Sequence, residues 1–334
     1  AKRWVLVAAI VGSSMAFIDG TVVNVALPAI QRDLRATAAQ MQWVVESYAL
    51  FLAALLLVGG ALGDRLGRRI VFMWGVAIFA LASIGCALST TVSQLIAARA
   101  VQGVGAALLV PGSLALISAA YPRQERGAAI GAWSGFSGIT AALGPVLGGF
   151  LVDRYSWVWA FSLNVPLAIV VLLIAWRSIP ESRSDAASAG MDGWGALLAT
   201  LALGAVVYTL IEAPAQGWSA TVLLFALAAS AVLAALFVGV ELRARAPMVP
   251  LSLFRSRNFS GANLLTLLLY AALGGGLFYV PLNLIQVQGY SATAAGAALL
   301  PFILIMFILS GWAGQLVDRV GPKLPLVAGP AVAA

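Results

Sequence analysis

The 334-residue sequence contains no histidine and a single cysteine, Cys86. One thiol cannot form an intrachain disulfide or a cysteine-based metal cluster, and a metal site built from imidazole ligands is excluded as well. Histidine is the side chain that most often moves protons near neutral pH, so any proton transfer in this protein must use carboxylates. Charged residues are also scarce, at 9% of the chain, whereas soluble domains carry about 25%.

Apolar residues, in contrast, make up 62% of the chain, more than one water-exposed domain of this length can bury. Lipid as the surrounding solvent is the simplest explanation, because stretches of about 20 mainly apolar residues are long enough to cross a bilayer. The first stretch contains Asp19 and is longer than the apolar part of a signal peptide, so we interpret it as a span. Ten complete spans are expected, at 4–28, 42–62, 70–89, 93–118, 127–151, 156–176, 193–212, 219–240, 259–284 and 291–313, with an eleventh beginning near Leu324.

The basic residues indicate how these spans are oriented. Alternate breaks between the apolar stretches hold most of the lysines and arginines, whereas the other breaks hold only Arg32, Arg35 and Arg154. Because lysine and arginine collect on the cytoplasmic side, the N-terminus is expected in the cytoplasm. The net charge of +7 is therefore interpreted as the orientation signal of a multi-pass protein of the bacterial inner membrane. It does not indicate a nucleic-acid partner.

The segment 60–69 recurs in degraded form at 314–323, an offset of 254 residues. Both copies connect one span to the next on the expected cytoplasmic side, and such repeats are typical of transporters built from two related bundles. The offset predicts an all-α polytopic fold with a six-span bundle at 1–178, a two-span central insert at 179–257 and the start of a second bundle at 258–334. We expect this second bundle to be incomplete, and the chain as given to be unable to complete a transport cycle.

The repeated loop carries a distinct residue pattern. Its glycines permit a tight turn, its carboxylate is favoured near a helix N-terminus, and its arginines can pair with neighbouring helices. The alternative is a loop that only anchors the chain by its positive charge. Because the pattern recurs, a functional role is favoured over anchoring alone. The pattern consists of Gly60, Asp64, Arg65, Gly67, Arg68 and Arg69.

Arg99 lies inside the fourth expected span, about 12 Å from its outer end at the helical rise per residue. An arginine at that depth is costly unless a carboxylate, backbone carbonyls or water satisfy it. It begins the pattern Arg99-x-x-Gln102-Gly103. A purely structural bond to carbonyls is the alternative to a functional role.

The fifth expected span is rich in small residues, which allow helices to approach closely. Its proline removes one backbone hydrogen bond and kinks the helix. Tight packing alone would explain the glycine spacing, but the Gly-Pro-x-x-Gly-Gly ending is more specific. The residues concerned are Gly138, Gly144, Pro145, Gly148 and Gly149.

Together these three patterns resemble those of the major facilitator superfamily, and within it the fourteen-span drug:proton antiporter family. The resemblance implies a major facilitator fold with two extra central spans. It also implies that the loop 60–69 controls switching between inward- and outward-open states, that Arg99 takes part in proton coupling, and that the ending of span five marks an antiporter. Val158 departs from the family, in which arginine usually separates the tryptophans found here as Trp157 and Trp159.

Two carboxylates are candidates for carrying the proton. Asp19 lies deep in the first span at a depth similar to that of Arg99, and Asp19 with the following Thr21–Pro28 matches a family pattern. Glu46 lies near the outer start of the second span and is either a second proton site or a water-facing interfacial residue. Nearby aromatic side chains either stack on a flat or cationic substrate or pack between helices. They are Tyr48, Phe51 and Trp133.

We therefore expect a proton-coupled secondary efflux transporter for small hydrophobic or cationic compounds, working by alternating access. No catalytic residues, bound metal or cofactor are expected, and the protein is expected to act as a monomer in contact with membrane lipid. One alternative is an exporter of a specific metabolite, such as an amino-acid or siderophore-like solute. A non-transporting membrane sensor and a membrane-embedded enzyme are the others.

Overall fold

The computed structural model of the chain describes residues 2–183, 192–244 and 249–302, together with residues 247, 304, 305, 309, 328 and 329. In these residues all regular structure is helical, so the expected all-α class is confirmed. Nine helices in the described part of the chain are long and apolar enough to cross a membrane. The helices are α1 (Lys2–Leu34), α2 (Ala38–Leu66), α3 (Arg68–Ala87), α4 (Val92–Ala120), α5 (Arg123–Arg154), α6 (Val158–Ser162), α7 (Asn164–Ser178), α8 (Gly193–Gln216), α9 (Ala220–Glu241), α10 (Arg257–Gln286) and α11 (Ala292–Ala298).

The sixth expected span, 156–176, differs from the prediction because it is interrupted between α6 and α7, at Leu163. Pro166 lies in the first turn of α7 and has no backbone N–H, so it cannot continue the hydrogen-bond ladder back to Ser162. The two helices together still form one membrane-crossing segment, Val158–Ser178.

Two expected features fall mainly outside the described residues. The tenth span, 291–313, is described as a helix only over Ala292–Phe302. The second copy of the loop, 314–323, lies entirely outside the described residues, and the eleventh span lies almost entirely outside them.

Side-chain caps fix where several helices begin. The Thr37 hydroxyl accepts from the backbone N–H of Gln40, and the Gln40 side chain accepts in return from the Thr37 N–H, which is a complete capping box for α2. Ser219, Ser256 and Ser291 cap α9, α10 and α11 in the simpler way, each through its hydroxyl. These caps satisfy backbone donors that would otherwise be left without partners at the helix ends.

Close helix packing in the first bundle depends on glycine. α4 packs along both α2 and α3, and α1 packs along α5. A Cβ atom on Gly75 would lie 2.6 Å from the backbone nitrogen of Leu109, and one on Gly105 would lie 2.6 Å from that of Phe79. The backbones of α3 and α4 can therefore meet only because these positions carry no side chain.

The helices differ in how much of their surface is covered. α1 buries side chains on nearly all sides, whereas α9 and α10 leave most of their apolar side chains exposed. A helix that is apolar and exposed is stable when its surroundings are lipid. The described chain is thus a multi-span membrane protein with a tightly packed centre around α1 and α4.

Candidate functional site

A cluster of polar side chains lies at the centre of the first bundle, surrounded by apolar helices. It brings together one residue of α1, one of α3, two of α4 and one of α7, and none of them is more than 1% exposed. We call it the central cluster, and it consists of Asp19, Ser83, Arg99, Gln102 and Asn164.

The Arg99 guanidinium donates hydrogen bonds through two of its three nitrogens. Its Nη1 forms an ion pair with Asp19 Oδ2 and also donates to Gln102 Oε1 at 2.7 Å. Its Nε donates to the backbone carbonyl of Val44 at 3.0 Å, and its central carbon lies 4.3 Å from the centre of the Tyr48 ring. A carboxylate and a carbonyl, two of the three partners expected for a buried arginine, are thus both present.

The second oxygen of Asp19 accepts from two amides. Gln102 Nε2 donates to Asp19 Oδ1 at 2.8 Å and Asn164 Nδ2 donates to it at 3.0 Å. Both amides also donate to Ser83 Oγ, at 2.9 Å and 3.2 Å, and the Ser83 hydroxyl donates to the Phe79 carbonyl at 2.8 Å. The carboxylate is thus held by a cation and two neutral donors, an arrangement that offsets much of the cost of burying its charge.

Sequence reasoning paired Asp19 with Arg99 by depth but did not single out the neutral members of the central cluster. Gln102 belongs to the pattern that begins at Arg99, whereas Ser83 and Asn164 belong to none of the three patterns. Each is a hydrogen-bonding side chain within an apolar span. That property alone is a weak signal, because serine and asparagine occur in membrane helices for structural reasons as well.

Glu46 lies outside the central cluster and is half-buried. It lines a cavity of about 580 Å³ between α1, α2, α8 and α10. Most of the lining is apolar, and Glu46 is the only acidic residue among the described side chains that form it. The other lining residues with polar groups are Asn24, Gln42 and Tyr279.

The three aromatic residues proposed as substrate contacts lie elsewhere. Tyr48 is buried, with its ring against Arg99 and its hydroxyl donating to the Ala16 carbonyl at 3.2 Å. Trp133 donates through Nε1 to Ser13 Oγ at 3.0 Å, and Phe51 lies against Gly103 of α4. None of the three lines the cavity beside Glu46.

The loop 60–69 joins α2 to α3 through a sharp turn at Gly67, whose φ of 127° is strained for any residue with a side chain. Asp64 lies near the N-terminus of α3, where it accepts from the side chain of Arg68, the first residue of that helix, at 2.7 Å. Glu181 satisfies backbone N–H groups in the first turn of α3. Its carboxylate accepts from the N–H of Arg69 at 3.0 Å and from that of Ile70 at 3.2 Å.

The remaining residues of this loop lie around the turn. Arg69 Nη1 donates to the Ile179 carbonyl at 3.1 Å, so the loop is attached to the segment that follows α7. Gly60 lies against Pro111 of α4, and Arg65 is exposed.

The glycine-rich helix α5 packs on two neighbours. A Cβ atom on Gly148 would lie 2.9 Å from Val22 of α1, and one on Gly149 would lie 2.6 Å from the Cα of Thr293 in α11. Gly144 also faces α1, at Thr21, and Pro145 faces α11. Gly138, by contrast, has open space around it.

The end of α5 also holds the start of α11. The Asp153 carboxylate accepts from the backbone N–H groups of Ala292 at 3.1 Å and of Thr293 at 2.7 Å, and from the Thr293 hydroxyl at 2.6 Å. The first bundle is therefore linked to α11 both by close backbone contact and by a carboxylate cap.

Relatives of known name resemble the chain over nearly all of its length. The multidrug resistance protein Stp of Mycobacterium tuberculosis is 39% identical over 325 residues, which are 97% of this chain and 60% of that protein. The tetracenomycin C resistance and export protein of Streptomyces glaucescens is 38% identical over 324 residues, again 60% of its length. The methylenomycin A resistance protein of Bacillus subtilis is 39% identical over 305 residues, 91% of this chain and 65% of that protein. The chain thus spans about 60% of the length of the first two relatives and slightly more of the third.

Solved structures show the same fold at low sequence identity. A peptide transporter POT in complex with sulfate superposes with a TM-score of 0.66 at 16% identity, covering 95% of this chain and 70% of that one. A D-xylose-proton symporter superposes with a TM-score of 0.60 at 17% identity, covering 95% of this chain and 69% of that one.

The family model described as the Major Facilitator Superfamily matches residues 9–334. That match includes all five residues of the central cluster. The chain belongs to the major facilitator superfamily.

Proposed function

We propose that this protein is a proton-coupled efflux transporter of the fourteen-span drug:proton antiporter family. The observation that carries the proposal is the ion pair between Asp19 and Arg99, which is buried at the centre of a membrane-spanning bundle. Ionisable side chains inside a membrane are costly to bury and therefore usually mark a functional site. Among the described polar contacts of Asp19, Arg99 is the only ionisable residue. In this proposal α8 and α9, both long and apolar enough to cross a membrane, are the two extra central spans of that family.

In this proposal Asp19 carries the proton and Arg99 influences how readily it binds. Burial favours the neutral acid, whereas the adjacent guanidinium favours the carboxylate, and a change in helix packing shifts the balance between them. Glu46 is the second candidate proton site, because it lines a cavity rather than the closed central cluster. Alternating access then arises from one bundle, 1–178, rocking against another that begins at 258, with 179–257 as an insert.

Small hydrophobic or cationic compounds are the proposed cargo. The cavity beside Glu46 has a mainly apolar wall and one acidic side chain, a combination that suits an amphipathic molecule with a positive charge. Three relatives are named for resistance to drugs or to individual antibiotics, which supports export of compounds of this size. Tyr48, Phe51 and Trp133 are retained as candidate contacts in other conformations, since all three lie close to α1 or α4 of the first bundle.

Efflux of ethidium, a flat organic cation, tests this function in cells that express the complete gene product. We expect Asp19→Asn to abolish efflux that depends on the proton gradient. Arg99→Lys keeps the charge but cannot reach Asp19, Gln102 and the Val44 carbonyl together, so it should impair efflux as well. Asp33→Asn is the matched control, because Asp33 is an exposed carboxylate on the same helix, outside the central cluster.

Proton release on ethidium binding, measured with the purified protein in weakly buffered detergent solution, separates coupling from expression. Wild type and Asp33→Asn should release protons, and Asp19→Asn should not. Release of protons by Asp19→Asn at the wild-type level would show that another group is the carrier, and Glu46→Gln would be the next variant to examine.

A further inference from the structure

Asn164 donates its side-chain amide to Asp19 from α7, a helix that carries none of the motifs seen in the sequence. It is 1% exposed, and its amide nitrogen also lies 3.2 Å from Ser83 Oγ. We propose that Asn164 is a positioning residue of the proton site, donating to Asp19 when the carboxylate is charged and rotating to accept from it when it is protonated. The inference rests on the proposed function, in which Asp19 takes up and releases the proton.

Hydrogen-bond donors surround both oxygens of Asp19. Oδ2 faces the Arg99 guanidinium, and Oδ1 faces the amide nitrogens of Gln102 and Asn164. All of these contacts are donors, so they satisfy a carboxylate but offer no acceptor for the O–H of a carboxylic acid. At least one partner of Asp19 must therefore change before the protonated form is satisfied in this buried position.

Asn164 is the partner that can change at least cost. Rotating its amide by half a turn places the carbonyl oxygen where the nitrogen was, and this oxygen then accepts from the Asp19 O–H. Gln102 is not free to do the same, because its Oε1 already accepts from Arg99 Nη1 at 2.7 Å and from Cys86 Sγ at 3.7 Å. A rotated Gln102 would turn its NH₂ group towards the guanidinium, placing donor against donor.

Ser83 completes the network in both states. With Asp19 charged, Ser83 Oγ accepts from both amides and donates to the Phe79 carbonyl at 2.8 Å. After Asn164 rotates, the Ser83 hydroxyl can turn towards the new carbonyl oxygen, because a hydroxyl hydrogen rotates freely to suit its partners. Ser83 keeps the bond from Gln102 throughout.

The proton balance is simple. One proton enters from water and forms an O–H bond on Asp19 Oδ1, while Arg99 keeps its own protons. The net charge of the Asp19–Arg99 pair therefore changes from zero to plus one. The ionisable neighbours of Asp19 are Arg99 on α4, Tyr48 on α2 and Cys86 on α3. On α1, α5 and α7 the other charged residues lie near helix ends, and α6 has none. On α2, Glu46 lines the same cavity as Gly20, the residue after Asp19, but no described hydrogen bond joins Glu46 to Asp19.

Infrared difference spectra of the purified protein, recorded across a pH series, test the inference directly. A protonated carboxyl group gives a carbonyl band. If such a band is present in wild type and absent in Asp19→Asn, it belongs to Asp19. In Asn164→Leu, which is similar in size, we expect the titration of this band to move about one pH unit towards alkaline pH, a tenfold change in the proton dissociation constant. The charged form loses a charge-assisted donor, which outweighs the weaker bond lost by the neutral form. The band itself should also move to higher wavenumber, because the O–H loses its acceptor.

Asn263→Leu is the matched control. Asn263 is exposed on α10, and its amide donates to the Phe259 carbonyl of its own helix at 2.8 Å. This variant should titrate like wild type. A titration and band position in Asn164→Leu that are unchanged from wild type would overturn the role of Asn164 while leaving Asp19 as the proton carrier. A wild-type spectrum with no band sensitive to Asp19→Asn would overturn both proposals.

A second measurement does not depend on a folded variant. In wild-type protein carrying ¹³C-labelled asparagine, an asparagine carbonyl band should change position with the same midpoint as the Asp19 carboxyl band. Asparagine bands that stay constant while Asp19 titrates would contradict the proposed rotation.

Discussion

Thr293 donates both its backbone N–H and its side-chain hydroxyl to the carboxylate of Asp153, 140 residues earlier in the chain. The contact joins the end of α5 to the first turn of α11, next to the close approach of Gly149. It closes the same end of the molecule at which Trp157 donates to Asp33. Movement of α11 relative to α5 must therefore break a carboxylate cap.

Asp153→Ala should loosen this junction, because three donors lose their acceptor. A lost N-cap costs about 1 kcal/mol, so we expect a lower thermal unfolding midpoint in detergent by a few degrees. Asp153→Asn keeps one acceptor oxygen, so its thermal unfolding midpoint should fall by less than that of Asp153→Ala. A double-mutant cycle with Thr293→Val measures the coupling, and additive effects of the two substitutions would show that the bond contributes nothing.

Gly75→Ala should separate α3 from α4. The new Cβ would lie 2.6 Å from the backbone nitrogen of Leu109 and 2.9 Å from the carbonyl oxygen of Gly105, and neither atom can move without its helix. Overpacking of this kind costs about 1–3 kcal/mol. Size-exclusion chromatography after stepwise heating measures the loss of folded protein.

Gly239→Ala is the matched control for that experiment. Gly239 lies inside α9 with nothing near its missing side chain, so alanine should leave stability equal or slightly higher. Equal stability of Gly75→Ala and Gly239→Ala would show that the α3–α4 contact is looser than these distances indicate.

Asp64→Asn should damage transport while leaving membrane insertion and stability unchanged. The side chain of Asp64 is 43% exposed, and its pair with Arg68 is one helical turn away, so the pair contributes at most about 0.5 kcal/mol to stability. A loss of efflux would therefore reflect the movement of the loop and not unfolding. Glu125→Gln removes a similarly exposed pair with Lys2 and serves as the comparison. If well-expressed Asp64→Asn shows full efflux, the charges of the loop only orient the chain in the membrane and Asp64 is not needed for transport.

Cysteine labelling in intact cells checks the orientation. The distribution of lysine and arginine predicts cytoplasmic breaks at 63–69, 119–126, 177–192 and 241–258. Both Gln124 and Thr90 are exposed, but they follow different helices on opposite sides of the expected bilayer. An impermeant maleimide should label Thr90→Cys and not Gln124→Cys. The native Cys86 is buried and should stay unlabelled, and the reverse pattern would invert the topology.

The length of the apolar stretches was enough to predict the nine membrane-crossing helices of the described residues, because lipid requires every backbone group to be paired within its own segment. The need of Arg99 for a partner was predictable for a similar reason, since an isolated guanidinium at that depth is costly. The role of Asn164 in the same contact was not, because a neutral amide can be satisfied in many ways. Only the packing of α7 beside α1 and α3 brings it to Asp19.

Other features depended on packing that sequence patterns do not record. The sequence left open whether Tyr48 contacts a substrate or packs between helices. In this structure its ring covers Arg99, and the turn of α2 that bears it lies against Gly103 of α4. Asp64 pairs with the side chain of Arg68, the first residue of α3, whereas Glu181 accepts from the backbone N–H groups there. Glu181 lies 112 residues from Arg69, so no local pattern could have assigned it.

The ion pair at the centre of the first bundle has a consequence for membrane voltage. While Asp19 is ionised, its charge and that of Arg99 cancel, so shifting the pair along the bilayer normal does almost no electrical work. A proton on Asp19 leaves the positive charge of Arg99 uncompensated, and moving one elementary charge through the full potential is worth about 2.3 kcal/mol per 100 mV. The same bundle would then be insensitive to voltage in one protonation state and driven towards the negative side in the other.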